Sequence, residues 1–508
     1  PGHGRNEHQG FVATVTDKNG PDERSSMRNV SKRRDFRDPC AVTKDTFLAA
    51  KGNQIVLMDA SGATEVIHTA AAMLHEPRPV VVRAKPRVVP SRVDLSKTTG
   101  TMMMSDVYIG RNMGGIKRGA ITKLLVLEDL PKPANFHGGG SQPLGHGVTS
   151  TLKRVLGTVP VESDGSAHFE VPAMRSIYLA ALDENGLSVK QMRSFITLQP
   201  GETLSCVGCH EQRTKAPDVA AMGKLKAMGR AADKIKPFAG ISQIPDFPRD
   251  IQPILDRHCI KCHNSKDRKG NVILTGDRGP VISHSYDELF FQWQLKDTAG
   301  NPQSGSGRQK GNDKPYTTYS SASALMKKID THHNKVKLSD VERNTVRLWI
   351  DASAQYPGTY AAIGTGQVGG CWGANKYVRV MADNWPDTAP AKEAVTRRCG
   401  KCHGRKLPKH VTDVIPVSYG DMLSWERPLS RFSRHRVYNL TNPEKSLMLI
   451  APLAKVAGGY AEAHPKPKLI RENLAAAPKA IKHPVIFSHV TDPDYLKILT
   501  HIQAAKAK

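Results

Sequence analysis

The sequence predicts a multidomain α+β protein. A β-rich N-terminal half, holding a propeller-blade-like group of strands and a β-sandwich, is followed by two mostly α units. Three observations lead there. At about 100–200 residues per domain, the 508 residues fit three or four units. From Thr46 to Ser205 short apolar runs alternate with Gly, Pro and Asp-Gly turn signals, the pattern of short strands. Beyond Gly240 apolar residues recur at helical spacing behind capping residues, and they do so twice.

Residues 1–75 open with a polar, basic loop. Strands are expected at 46–50, 54–59 and 64–68, separated by the turns Lys51-Gly52-Asn53 and Ser61-Gly62. This resembles one propeller blade or a small meander, and no second copy follows. Glu76-Pro77-Arg78-Pro79 starts a Pro-rich linker into a sandwich-like domain over 76–214. Its expected strands are 124–128, a hairpin of 159–162 and 168–171 around Asp164-Gly165, then 177–182 and 193–198. Residues 215–240 read as a helical linker. In the unit 241–360, a helix over 248–259 and a last helix over 340–351 are expected. The last helix is capped at Leu338-Ser339 and has Val346, Trp349 and Ile350 on its apolar face. Residues 361–390, with Cys371, Trp372 and Trp385, form a linker or lid. The unit 391–508 repeats the plan: residues 391–398 lead in, and a final helix starts at Pro493 behind Thr491 or Asp492.

Six of the eight cysteines form three Cys-x-x-Cys pairs, each followed by His: Cys206, Cys209, His210; Cys259, Cys262, His263; and Cys399, Cys402, His403. Cys-x-x-Cys-His is the attachment motif of c-type haem. Two thiols three positions apart on one helical turn each add to a haem vinyl group. The next residue then points its imidazole at the iron, an ordinary fifth ligand. Three covalently attached haem c groups are expected, with His210, His263 and His403 as iron ligands. A first helix carrying the motif and a last helix packed on it is the cytochrome c arrangement, so both α units read as cytochrome c-like domains. The first motif differs, because it follows strands. The competing reading is zinc, which usually takes two such pairs per ion. A thioredoxin-like dithiol lacks its βαβ context. Thioether attachment takes place outside the cytoplasm, so the expected location is the periplasm, an equivalent internal compartment or the cell exterior. The chain starts at Pro1-Gly2 without a signal peptide, the expectation being a removed leader or a natural start further upstream. Cys40 and Cys371 pair in an oxidising compartment or stay as buried thiols.

Each iron also has an opposite face. For the second haem, His332 or His333 precedes the last helix, with Met326 and His284 as alternatives. For the third, His483 and His489 hold the analogous place, and Met448 and His435 compete. For the first, His137, His146 and His168 lie in the β domain, where a lone His is more often structural.

Lys and Arg total 73 against 47 Asp and Glu, a formal charge of +26. Six haem propionates would lower that to about +20. The basic residues are scattered, and no helix-turn-helix, zinc-finger or RNA-binding signature is present, so nucleic acid is not an expected partner. An acidic cytochrome or redox subunit and a plain solvated surface both fit. No run of about 18 uncharged apolar residues occurs, so no transmembrane helix is expected.

Two stretches then point to a family. Residues 156–173, Leu-Gly-Thr-Val-Pro-Val-Glu-Ser-Asp-Gly-Ser-Ala-His-Phe-Glu-Val-Pro-Ala, and residues 199–211, Gln-Pro-Gly-Glu-Thr-Leu-Ser-Cys-Val-Gly-Cys-His-Glu, resemble the middle domain of hydrazine synthase alpha subunits. Residues 251–259 and Leu348-Trp349-Ile350-Asp351 resemble the cytochrome domains that follow it there, and Arg34-Asp35-Phe36-Arg37-Asp38 the end of the preceding propeller. The resemblance implies haem sites within a larger complex that joins nitric oxide and ammonium into hydrazine, in an anammoxosome-like compartment. Three motifs, a single blade, and no Tyr, Lys or His pair close to the first motif to mark an open, reactive iron depart from a simple carry-over. Three readings therefore stand: a tri-haem electron carrier in a redox assembly, a catalytic subunit with one open iron, and a zinc-stabilised scaffold.

Overall fold

The computed structural model describes residues 9–17, 23–131, 151–209, 224–295, 313–360, 389–403, 437–462 and 483–507, less 83, 89, 92, 111, 193, 280, 281, 292 and 293. It divides into two compact units: residues 1–92 with 212–216, and residues 93–211 with 217–508.

In the first unit, β1 (Ala13–Val15) and β2 (Met27–Asn29) form a hairpin. β3 (Arg37–Ala41), β4 (Thr46–Lys51), β5 (Gln54–Asp59) and β6 (Thr64–Thr69) form an antiparallel meander in sequence order. Alternation puts Phe47 and Ala49 of β4 and Val56 and Met58 of β5 into one core with Val12, Val30 and Phe36. The expected blade-like strands are present, with β3 added at their head.

The second unit begins with two sheets. β7 (Thr99–Met104) lies between β10 (Ala167–Pro172), antiparallel to it, and β13 (Thr203–Cys206), parallel to it. The other sheet runs β12 (Ser188–Gln191), β11 (Ser176–Leu182), β8 (Lys123–Asp129), β9 (Lys153–Pro160). Met102, Met104, Phe169 and Val171 of the first sheet pack against Leu124, Val126, Ile177 and Leu179 of the second, the interior of a sandwich. The opposite face of the second sheet, with Leu125, Leu127, Tyr178 and Ala180, is covered in turn by Leu348. Burial on both faces explains the unbroken apolar run of β8.

Two strand expectations are corrected. The Asp164-Gly165 turn forms, with Gly165 N donating to Glu162 O at 2.8 Å. It joins strands of different sheets, because β9 pairs with β8 and β10 pairs with β7, so residues 159–171 are a crossover between sheets and not a hairpin. Of the expected strand 193–198, only Ile196 pairs, as an isolated bridge to Ile177. The expected helical linker is also different within the described residues. Residues 224–240 hold one 3₁₀ turn, Lys226–Gly229, and otherwise lie along the sandwich through bridges of Asp233 to Phe169 and Lys236 to Thr158.

The C-terminal half is mostly helical. α1 (Gln252–His258), α2 (His284–Phe291), α3 (Ala324–Asp330) and α4 (Asp340–Asp351) surround one core. At its centre the Trp349 ring packs 5.3 Å from Phe247 and 6.3 Å from Tyr286, with its indole N–H donated to Gln355 O at 2.8 Å. α5 (Ala389–His403), α6 (Leu447–Ile450) and α7 (Pro493–Lys506) build a second core, where Ala391, Ala394 and Val395 meet Tyr495, Ile498 and Ile502. The chain is thus α+β, β-rich first and helical after. The linker or lid at 361–388, with Cys371, lies outside the described residues.

Candidate haem centre

The second motif grows directly out of α1. Cys259 caps the helix, its N–H bonded to Leu255 O at 2.8 Å, and the chain makes one more turn. Cys262 N and His263 N both donate to Cys259 O, at 3.2 and 3.0 Å. This turn sets both thiols and the imidazole on one short loop, which Lys269 N to Cys262 O (3.0 Å) and Leu274 N to His263 O (2.8 Å) hold from behind. Burial, with a smaller contribution from Cys262, pushes the Cys259 thiol up to about 11.

The last helix is fixed to the first beside this motif. Ser339 and Glu342 form a capping box at the start of α4. Glu342 also accepts from Arg257 Nε at 3.1 Å and pairs with His258 Nε2 at 3.0 Å, at the end of α1. Burial alone would raise this carboxyl, but the Ser339 backbone N–H, His258, the Ser339 hydroxyl and Arg257 hold it at about 2.

Of the two neighbouring histidines the sequence left open, the structure brings His333 to His263. Their ring centroids are 6.4 Å apart with 21° between planes. A metal–imidazole bond is about 2 Å and a ring centroid lies roughly 1 Å behind its ligating nitrogen, so two rings held across one metal sit about 6 Å apart. The residues therefore fit a haem, whose iron His263 and His333 would hold and which Cys259 and Cys262 would anchor covalently. Two further observations agree. His263 Nδ1 is buried with no hydrogen-bond partner among the described residues, and burial lowers the imidazole's pKa, which keeps it in the neutral, ligating form. His332, Asn334 and Lys335, around His333, all have left-handed backbone, with φ of 51°, 52° and 64°. Such residues cost of order 1 kcal/mol each and cluster at functional loops. Of the alternatives, His284 Nε2 lies 2.9 Å from Tyr438 O, in a structural bond, and Met326 is buried in the core that Cys259 borders.

The first motif is built differently, and the one-helical-turn expectation does not hold for it. Cys206 ends β13 and Cys209 lies in the following loop. That loop is pressed onto residues 106–110, with Asp106 N to Val207 O at 3.0 Å and Cys209 N to Ile109 O at 2.7 Å. The approach is so close that a Cβ on Gly208 would stand 2.2 Å from Ile109 O, and one on Gly110 1.8 Å from Cys209 O. Cys206 and Cys209 pack on the sandwich core together with Tyr108. A Tyr distant in sequence thus stands close to the first motif, against expectation. Its hydroxyl accepts the N–H groups of Gly119 and Ile121 at 2.7 and 3.0 Å, and Arg118 lies over its ring. His168 pairs in register with Met103, and Ser205 pairs with the same Met103. It therefore projects from the opposite face of this sheet to Cys206. His210, His137 and His146 lie outside the described residues.

The whole third motif falls inside α5, as expected. Cys399 packs at the rim of the helical core, while the side chains of Cys402 and His403, and all of His435, lie outside the described residues. The two arginines before the motif grip the start of α7. Arg397 pairs with Asp494, and Arg398 Nη2 reaches Asp492 at 2.5 Å and Ile486 O at 2.9 Å. His483 is half-buried with Nδ1 2.8 Å from Pro484 O, Met448 borders the core, and His489 is exposed. His501, which no motif marks, is buried on α7 and edge-on to Tyr438 at 5.7 Å. Its signal was its place among Tyr495, Ile498 and Ile502 on the buried helix face.

The second and third motif regions touch. Tyr460 donates its hydroxyl to Ser265 O at 3.0 Å, and Arg268 lies 4.1 Å above its ring, both on the loop just after His263. Asp277 accepts from Asn439 and Asn442 at 2.7 and 3.1 Å.

Residues 119–211 match the family model of the hydrazine synthase alpha subunit middle domain. The span covers β8 to β13 and ends with the first motif. Through this domain the chain is similar to the hydrazine synthase alpha subunits. A curated relative, hydrazine synthase subunit alpha of Kuenenia stuttgartiensis, is 24% identical over 285 aligned residues, covering 44% of this chain and 35% of that protein. The solved Kuenenia stuttgartiensis hydrazine synthase is 20% identical with a TM-score of 0.53, covering 69% of this chain and 59% of the solved one. That likeness shows a shared fold. The chain thus spans about a third of the curated relative's length.

Proposed function

We propose that the chain is an extracytoplasmic tri-haem c-type cytochrome that passes electrons within a larger redox assembly. The observation that carries this reading is the 6.4 Å, near-parallel pairing of His263 and His333 beside Cys259 and Cys262. A haem bound there supplies reversible one-electron transfer between ferric and ferrous iron. The protein's own residues do the rest: Cys259 and Cys262 would anchor the group, His263 and His333 would hold its iron, and the Arg268–Tyr460 contact holds the third unit against the loop of the second. The similarity to a synthase subunit supports redox subunits as partners. Thioether chemistry supports a location outside the cytoplasm, such as an anammoxosome-like compartment or the periplasm.

A second reading is a catalytic haem subunit of hydrazine synthase type, joining nitric oxide and ammonium. The family match ending at the first motif favours it, as does the strand-and-loop setting of that motif.

A pyridine haemochrome assay tests the primary reading. Three haems are expected per chain, and two after Cys→Ser replacement at any one motif. A chain that holds zinc and no haem returns the scaffold reading. A high-spin component that shifts with nitric oxide moves the balance to the catalytic one.

A further inference from the structure

We propose that the exposed face around His333 is the docking site of an acidic one-electron carrier protein, which delivers its electron to the second haem; this rests on the tri-haem reading above. His333 and Asn334 stand exposed at the tip of the loop before α4. The 6.4 Å contact of His333 with His263 brings two chain segments together, 259–272 and 326–337. Between them they carry eight Lys or Arg and two Asp. Both acids are engaged locally: Asp267 accepts from Asn264 Nδ2 at 3.0 Å, and Asp330 pairs with Arg343 at 2.7 Å. Arg268 is taken up by the Tyr460 ring. Lys261, Lys266, Lys269, Lys327, Lys335 and Lys337 are exposed.

Like charges gathered this closely repel one another, and they raise the local concentration of an anionic partner within a Debye length of about 10 Å. The redox centre lies between the two basic segments, and this decides the kind of partner. A nucleic acid or a lipid surface is anionic but has no electron to give, whereas an acidic carrier protein meets both features of the face. Electrostatic complementarity of this kind mainly sets the association rate.

The test is stopped-flow reduction of the oxidised holoprotein by the hydroquinone form of an acidic flavodoxin. One electron leaves the flavin, giving its semiquinone, and one ferric iron becomes ferrous. The triple variant Lys266→Glu, Lys327→Glu, Lys335→Glu is compared with a control variant, Lys44→Glu, Lys123→Glu, Lys445→Glu. At low ionic strength the first should lose about tenfold in second-order rate and most of its salt dependence, while the control follows the parent protein. Equal rates for both variants overturn the proposal. So does loss of binding to anionic phosphatidylglycerol vesicles in the first variant with flavodoxin reduction unchanged, which assigns the face to a membrane. A haemochrome count on the same samples separates the two levels. An empty second motif sinks the tri-haem reading, whereas a full complement with unchanged rates sinks the docking face alone.

Discussion

Asp351 ends α4 where the helical half meets the sandwich, and its side chain is fully buried. Its Oδ1 accepts from Ser320 N at 3.1 Å, and Arg347, itself 2% exposed, stands 3.6 Å from Oδ2. Arg347 in turn donates to Gly186 O of the sandwich at 2.7 Å, and Gln191 Nε2 donates to Asp351 O at 2.8 Å. Burial raises the carboxyl from 3.8 to about 6, with Arg347 and Ser320 opposing the rise. A pKa raised on folding contributes stability that is complete below the unfolded value and is lost as pH climbs through the folded one. Some two units correspond to about 3 kcal/mol. Asp351→Asn keeps an acceptor for Ser320 N–H and has no proton to lose. Its stability relative to the parent should therefore rise by about 2 kcal/mol between pH 4 and pH 7, on top of a constant cost for Arg347's lost partner. Urea unfolding of both proteins across that range measures the difference. A difference that is flat with pH, or that falls as pH rises, refutes the reasoning.

Gly208→Ala should force the Cys209 loop away from Ile109 O, at about 1–3 kcal/mol. The expected result is a haemochrome count lower by one with unchanged far-UV circular dichroism. In the third unit, a double-mutant cycle on Arg397 and Asp494 should give a small favourable coupling. Arg397 is the main cause holding the Asp494 carboxyl below its ordinary value. The coupling is therefore present above the unfolded carboxylate pKa and is lost as pH falls through the folded one.

The parts of the fold written in local chemistry were legible in the sequence. Ser339 with Glu342 and Asp492 with Pro493 announce helix starts through caps that need only near neighbours, and the motif at Cys259 to His263 declares its own chemistry. What escaped depends on partners far along the chain. The Asp164-Gly165 turn reads as a hairpin because its two flanks look like strands. Nothing local says that β9 goes to β8 and β10 to β7. β7 was overlooked because its Met102-Met103-Met104 run lacks the β-branched and aromatic residues that mark strands. Residues 193–198 look like a strand by composition, yet only Ile196 finds a partner. At the candidate centre, adjacent His332 and His333 cannot be told apart by position. The left-handed backbone at His332 turns the chain so that its neighbour meets His263. Tyr108 and the packing of Cys206 and Cys209 against the same core required the sandwich itself.

The proposed centre is an iron held between His263 and His333. Electron paramagnetic resonance of the ferric holoprotein tests it through two single variants, His333→Ala and His332→Ala. Cys259 and Cys262 should keep the haem attached in both. His333→Ala should turn one haem high-spin, and His332→Ala should leave the spectrum unchanged. A fully low-spin His333→Ala protein with its second-haem potential unaltered would contradict it.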